Sequence, residues 1–186
     1  MNYHLFRTIN DWSGNGLLDS IMKVTANDVI FLAFVAFAVL ALRIYRSRGL
    51  APLVGSAVTL VLAFGFGLVA AALHAERRPF QSHHVHQLVQ HAPGQSFPSD
   101  HATAAFALAL AALVFLSRPV GAALLVVAAL IGLARVYSGI HYPGDILGSL
   151  VCAAIAVPVG VAAAQAVRRR RPDSRAAARH GRVGSS

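Results

Sequence analysis

A single cysteine, Cys152, among 186 residues leaves no disulfide framework and no metal site built on cysteines. Lying inside an apolar run, it reads as a small core residue. Charge is also scarce: 12% of the chain is charged while 56% is hydrophobic, against about 25% charged in an average soluble protein. Acidic groups are the rarest, seven against sixteen lysines and arginines, for a formal charge of +9. That excess suggests nucleic acid at first sight. Seven of the sixteen, however, fall in the tail from Arg168 to Arg182, where membrane topology accounts for them and no nucleic-acid partner is needed. A signal peptide is not expected either, because no small-residue cleavage site follows a basic start and an apolar stretch.

What the chain has in abundance is long apolar runs. Ala51 to Leu73 carries no charge over 23 residues and Ile146 to Val167 none over 22, each enough to cross about 30 Å of hydrocarbon as a helix. Val29 to Leu42, lengthened by Asn27, Asp28 and Tyr45 at its ends, makes a third span. Ala102 to Leu116 and Pro119 to Ala134, divided only by Ser117 and Arg118, read as a tight helical hairpin. The expectation is an all-α polytopic membrane bundle of about five spans, at roughly 27–45, 51–73, 100–117, 119–137 and 144–167. These make one membrane-embedded domain over residues 1–167, followed by a disordered basic tail over 168–186. Ahead of the spans, Leu5, Phe6, Ile9, Trp12, Leu17, Leu18, Ile21 and Met22 recur at helical spacing around "SGNG". This predicts two short amphipathic helices at the interface, with Trp12 as an anchor.

Five spans put the termini on opposite sides. With the tail inside, the inner segments hold eleven lysines and arginines and the outer ones five, so the tail is expected in the cytoplasm. The loop from His74 to Asp100 and the cluster "RVYSGIHYPGD" then share the outer face. Ser99 and Tyr142 stand where helix N-caps belong, and Pro143 suits a first helical position. Two positive helix ends thus converge with Arg78 and Arg135 on one place, which calls for an anion. Arginine forks favour phosphate or carboxylate, and this many donors exceed what one carboxylate needs.

The remaining residues supply chemistry. Neutral His141 can attack phosphorus, with Asp145 holding its other nitrogen, and His101 can protonate the leaving oxygen. Arginines and backbone N–H groups can offset the transition-state charge, so neither metal nor cofactor is required.

The ordered set "RRPF", "PSDH" and "ARVYSGIHYPGD" resembles the three motifs of the type 2 phosphatidic acid phosphatase superfamily, integral membrane enzymes related to vanadium haloperoxidases. The resemblance runs from about Ala51 to Val167. It implies that Arg78, Ser99, His101, Arg135, His141 and Asp145 occupy phosphate-binding and catalytic positions, with His141 as nucleophile and His101 as acid. "PSDH" together with "FRTINDW" further resembles the bacterial undecaprenyl-diphosphatase branch, which implies a polyprenyl diphosphate as the lipid substrate in the cytoplasmic membrane. Two departures stand out. The family lysine seven residues before the motif arginine is here Ala71, so either a phosphate ligand is missing or Arg77 replaces it. Asp100 stands where glycine is commoner and is expected to point away from the phosphate.

Tyr137 and Tyr142 read as interfacial belt residues. The loop histidines His74, His83, His84, His86 and His91 invite a metal, but no cysteine accompanies them and Glu76 is the only nearby carboxylate. A solvated loop that closes over the site or meets headgroups is the better reading. Competing functions are a phosphatase of lipid monophosphates and, in a different class, a lipid transporter. Transport predicts charge or broken helices at mid-bilayer, whereas the charges here gather at span ends. The orientation is directly testable. A membrane-impermeant thiol reagent is expected to label a cysteine introduced at Gln87 in intact cells, and one introduced at Arg175 only after lysis. The reverse pattern overturns it.

Overall fold

The "SGNG" break separates two short helices, α1 (Asn2–Asn10) and α2 (Gly16–Asn27), in a computed structural model that describes residues 2–170. Asn15 caps α2, its side chain accepting from the Leu18 N–H at 3.3 Å. The apolar faces are divided as an interfacial pair requires. Leu5, Trp12, Leu17 and Ile21 are exposed, while Phe6 and Ala26 are buried against the rest of the chain.

Next come α3 (Val29–Arg48), α4 (Ala51–Leu73), the single turn α5 (Pro79–Ser82), α6 (Asp100–Ala111) with a π-helical end at Ala112–Leu116, α7 (Arg118–Tyr137) and α8 (Pro143–Arg169). Among the described residues the only extended pairing is one bridge between Arg77 and Gln95. Helices α3, α4, α7 and α8 are long and apolar enough to cross a membrane. Their outward side chains are large hydrophobics such as Phe31, Leu32, Val61, Leu68, Val126, Leu147 and Val151. That surface suits hydrocarbon and would be costly in water. The part of the expected basic tail from residue 171 onward lies outside the described residues.

The stretch expected as a span over residues 100–117 is a 17-residue apolar helix, Asp100–Leu116, about 25 Å at 1.5 Å per residue and within the length range of a crossing helix. It is also the centre of the bundle, packed by α4, α7 and α8. Ala102, Ala104, Ala105, Ala107, Ala109, Ala111 and Ala112 are all buried, since alanine lets neighbouring helices approach closely. One expectation changes, for the tyrosines. Tyr137 is fully buried with its hydroxyl 2.7 Å from the Asp19 carboxylate, and Tyr142 is buried edge-on against Phe6. Both fasten the N-terminal helices to the bundle and neither sits in a lipid-facing belt.

The most extensive helix pairing, α4 on α8, follows from small residues four apart. Gly55, Thr59, Ala63 and Gly67 line the buried side of α4, facing Cys152, Ala156, Gly160 and Ala164 of α8. A Cβ at Gly160 would lie 2.6 Å from the Gly55 carbonyl and 2.2 Å from Thr59 Oγ1, so the helices meet at backbone contact. Gly160→Ala is therefore expected to destabilise the protein by about 1–3 kcal/mol, the usual cost of overpacking. Gly65→Ala, where a Cβ meets nothing within 4 Å, should cause no loss. Thermal unfolding of both variants in detergent decides between them.

Candidate active site

The turn from α7 to α8 carries the central group. Gly139, at φ +80°, makes the reversal with its α-carbon against the His86 carbonyl, a conformation and a closeness that a side chain would oppose. His141 follows, 1% exposed. Asp145, the third residue of α8, turns back so that its Oδ2 accepts from the Tyr142 N–H at 2.8 Å and from His141 Nδ1 at 3.2 Å. On the other side of the ring, Arg78 Nη1 stands 2.9 Å and Arg135 Nη2 3.5 Å from His141 Nε2. Arginine can only donate, so Nε2 must present its lone pair and Nδ1 must carry the proton that Asp145 accepts. Burial is the main reason that the imidazole pKa is lowered to about 4. The Asp145 hydrogen bond opposes the shift, and Arg135 and Arg78 add to it. At neutral pH the ring is uncharged and held in one tautomer, with a free lone pair on Nε2.

The two arginines are buried beside one another, 8% and 2% exposed. Arg78 Nη1 also donates to the Ile140 carbonyl at 3.2 Å, and Arg135 Nη1 to the Ala26 carbonyl at 3.3 Å, which ties the end of α2 to the site. The Nε of each is buried with no partner among the described residues. Burial pulls the Arg78 pKa below its ordinary value. Two adjacent guanidiniums with spare donors form a place for a multiply charged anion.

Ser99 is the N-cap of α6, its Oγ accepting from the Ala102 N–H at 3.5 Å and its carbonyl from Ser149 Oγ at 2.9 Å. The first N–H groups of α6 have no intrahelical partner and point past the cap. His101, on that first turn, is partly exposed and has Arg135, Asp100, His91 and Arg78 as its charged and polar neighbours.

Arg78, Ser99, His101, Arg135, His141 and Asp145 are thus brought to one end of the bundle. Arg77 is not among them. Its side chain is exposed and its backbone bridges Gln95, so the one-residue step that turns Arg78 inward turns Arg77 outward. Asp100 does not point clear of the site either: it lines a cleft of about 200 Å³ with Arg78, Gln95, Phe97, Thr103, Ala71, Gly67, Leu68 and Phe64. The cleft runs from Arg78 toward the outward apolar side chains of α4.

Ser96 is a site residue that the motifs did not reveal. It is fully buried and donates to Asp145 Oδ2 at 2.5 Å. Its partner is 49 residues away, and no local spacing signals the pair. Among the described residues no three histidine, cysteine or carboxylate side chains gather as a metal would need. His83 instead stacks on Tyr3 with ring centroids 3.9 Å apart.

Known proteins place this geometry in context. Residues 69–171 match the sequence profile of the PAP2 superfamily. The chain is 37% identical over 159 residues, 83% of its length and 80% of the relative's, to undecaprenyl-diphosphatase BcrC of Bacillus subtilis. It is 36% identical over 99 residues to the putative undecaprenyl-diphosphatase YbjG of Escherichia coli, spanning 50% of that protein and 53% of its own length. Two solved structures share the fold. LpxE of Aquifex aeolicus superposes with a TM-score of 0.70 at 24% identity, over 86% of this chain and 94% of that one. The PAP2-type phosphatidylglycerolphosphate phosphatase of Bacillus subtilis does so with a TM-score of 0.61 at 19% identity, over 91% and 89%. An apolar helical bundle, a buried histidine between two arginines and a carboxylate, and this profile match have one source: the chain belongs to the PAP2 superfamily and is a membrane lipid phosphatase.

Proposed function

We propose that the protein hydrolyses undecaprenyl diphosphate to undecaprenyl phosphate and inorganic phosphate, recycling the lipid carrier of cell-wall synthesis through a phosphohistidine at His141. The observation that carries the mechanism is the setting of His141 Nε2: a lone pair fixed by Asp145 on Nδ1 and flanked by two guanidiniums. The similarity to BcrC over most of the chain favours the diphosphate. The terminal phosphate enters between Nε2 and the arginines. Arg78, Arg135, Ser99 and the first N–H groups of α6 hold its oxygens. Nε2 attacks phosphorus in line, and the bond to the bridging oxygen breaks with its electron pair leaving on the lipid phosphate. Nδ1 keeps its proton on Asp145, which stabilises the imidazolium that forms. His101 gives a proton to the departing oxygen, then takes one from the water that cleaves the P–N bond.

The prenyl chain leaves the site along the cleft past Phe97, Leu68 and Phe64 into the bilayer. Arg77, outside the cluster, draws anionic headgroups toward the mouth without replacing the family lysine absent at Ala71. The site faces the outside of the cytoplasmic membrane, and the C-terminus the cytoplasm, on the lysine and arginine count. Residues 1–167 act as one catalytic unit.

The leaving groups separate the roles of the two histidines. A lipid monophosphate must expel an alkoxide, whereas a diphosphate expels a phosphate whose second pKa is near 6, a tolerable anion at neutral pH. His101→Ala is expected to slow purified protein on lipid monophosphates by about 100- to 10,000-fold, and distinctly less on prenyl diphosphates. His141→Ala should abolish turnover of both, with no phosphorylated protein trapped. Equal losses in His101→Ala would make His101 a binding group only, and substantial turnover in His141→Ala would end the covalent mechanism.

The pH profile gives a second check. His141 has a lowered pKa, so its reactive neutral form persists as pH falls until about 4. The acid limb of kcat/KM, measured with chelator present, should lie near that value, well below the ordinary imidazole pKa of about 6.5. An acid limb near 6.5 for the nucleophile would contradict the buried setting.

A further inference from the structure

His91 is a third imidazole at the site, outside the three motifs. Its ring centroid is 6.5 Å from that of His141, in an edge-on arrangement. Rings that far apart leave room for a phosphate oxygen beside His91, given hydrogen bonds of about 2.9 Å. The position is built, because the loop that carries His91 is fastened at several points to the α7–α8 turn. Leu88 N–H donates to the Ser138 carbonyl at 3.1 Å. Asn10, buried at the end of α1, donates to the His86 and Tyr137 carbonyls at 2.9 and 2.8 Å and accepts from the His86 N–H at 3.0 Å. Val89 is buried among Ala26, Ala134 and Ile140.

The groups facing His91 come from every neighbouring element: Arg78 after α4, Asp100 and His101 on α6, Arg135 on α7 and His141 on the turn. Its Nδ1 is 3.0 Å from the Ala92 carbonyl, which can only accept, so Nδ1 carries a proton and Nε2 is the free face. Burial lowers the pKa of the ring, the Ala92 carbonyl and Asp100 oppose the shift, and Arg78 and Arg135 add to it. The reaction proposed above gives such a group a use. In-line transfer of the terminal phosphate puts the second phosphate on the leaving-group side, where His101 acts in the reaction proposed above. His91 and His101 are neighbours there.

We propose that His91 is the diphosphate-selecting residue of this phosphatase: it takes a proton from solution as substrate binds and, as an imidazolium, hydrogen-bonds a non-bridging oxygen of the lipid-proximal phosphate. This rests on the diphosphate reading. His91 keeps its proton through the transfer, so the chemistry at His141 and His101 is unchanged, and the proton returns to solvent when the lipid phosphate leaves. A lipid monophosphate has no second phosphate for it to meet.

The test compares purified wild type, His91→Ala, His91→Gln and His84→Ala on a prenyl diphosphate and on the matching prenyl monophosphate, with folding followed by thermal unfolding. His91→Ala is expected to lose about 10- to 100-fold in kcat/KM on the diphosphate, the range for a lost charge-assisted hydrogen bond, and less than about threefold on the monophosphate. Inhibition by inorganic pyrophosphate should weaken with it, and inhibition by inorganic phosphate should not. Binding needs the imidazolium, so wild-type KM for the diphosphate should rise with pH more steeply than that of His91→Gln, whose amide donates at any pH and restores part of the loss. Exposed His84→Ala should leave the substrate ratio unchanged. Equal losses on both substrates in His91→Ala would show that His91 only holds the loop, and no loss would show that it is idle; either outcome overturns this role alone. A wild type that turns over lipid monophosphates and no diphosphate would overturn the substrate reading, and this role with it.

Discussion

One carboxylate oxygen holds the site together. Asp145 Oδ2 accepts from the Tyr142 N–H, from Ser96 Oγ and from His141 Nδ1. The first bond is a local cap of α8, so the carboxylate is placed by the helix itself and its negative charge sits at the positive helix end. The second ties the segment ahead of α6 to α8. The third fixes the tautomer of His141, and only that tautomer leaves a lone pair on Nε2. Remove this oxygen and the cap, the tie to Ser96 and the orientation of His141 all lose their acceptor together.

The arrangement is expensive in isolation. Arg78 and Arg135 are buried side by side, each with an unpartnered Nε, around a histidine that burial keeps neutral. Like charges in a poorly solvated place repel strongly, and buried donors without acceptors cost about 1–3 kcal/mol each. The rest of the fold supplies the rigidity that tolerates this. Backbone contact between α4 and α8, the alanine packing around α6 and the clamps from Asn10 and Tyr137 leave the arginines no route to relax. In the mechanism proposed above, a bound phosphate relieves this repulsion by placing anionic oxygens between the two guanidiniums.

Much of this was legible in the sequence because the signals are local. Uncharged runs of more than twenty residues mark α4 and α8, and the caps at Ser99 and Tyr142 follow from residues three apart. The convergence of Arg78, His101, Arg135 and His141 was legible through ordered motifs at span ends. What was not legible is long-range. Ser96 and Asp145 are 49 residues apart, and Asn10 and His86 are 76 apart; neither pair leaves a periodic trace. The inward turn of Tyr137 and Tyr142 depends on α1 and α2 covering them, which a hydropathy argument about belts does not contain. The direction of Arg77 depends on a single bridge to Gln95 that no propensity foretells.

The division between local motif and long-range clamp also bears on how such a scaffold changes substrate. LpxE and the phosphatidylglycerolphosphate phosphatase share this fold at 24% and 19% identity, and a shared fold does not by itself fix a substrate. In the reading proposed above, helix caps and paired arginines set the phosphoryl centre, while the loop from His83 to Gln95 and the cleft beside Gly67 and Ala71 meet what lies beyond the transferred phosphate. A loop anchored by backbone bonds to Asn10 and Ser138 can change its side chains without moving. Selectivity then evolves on a fixed support while Asp145, His141 and the arginines stay where the chemistry needs them.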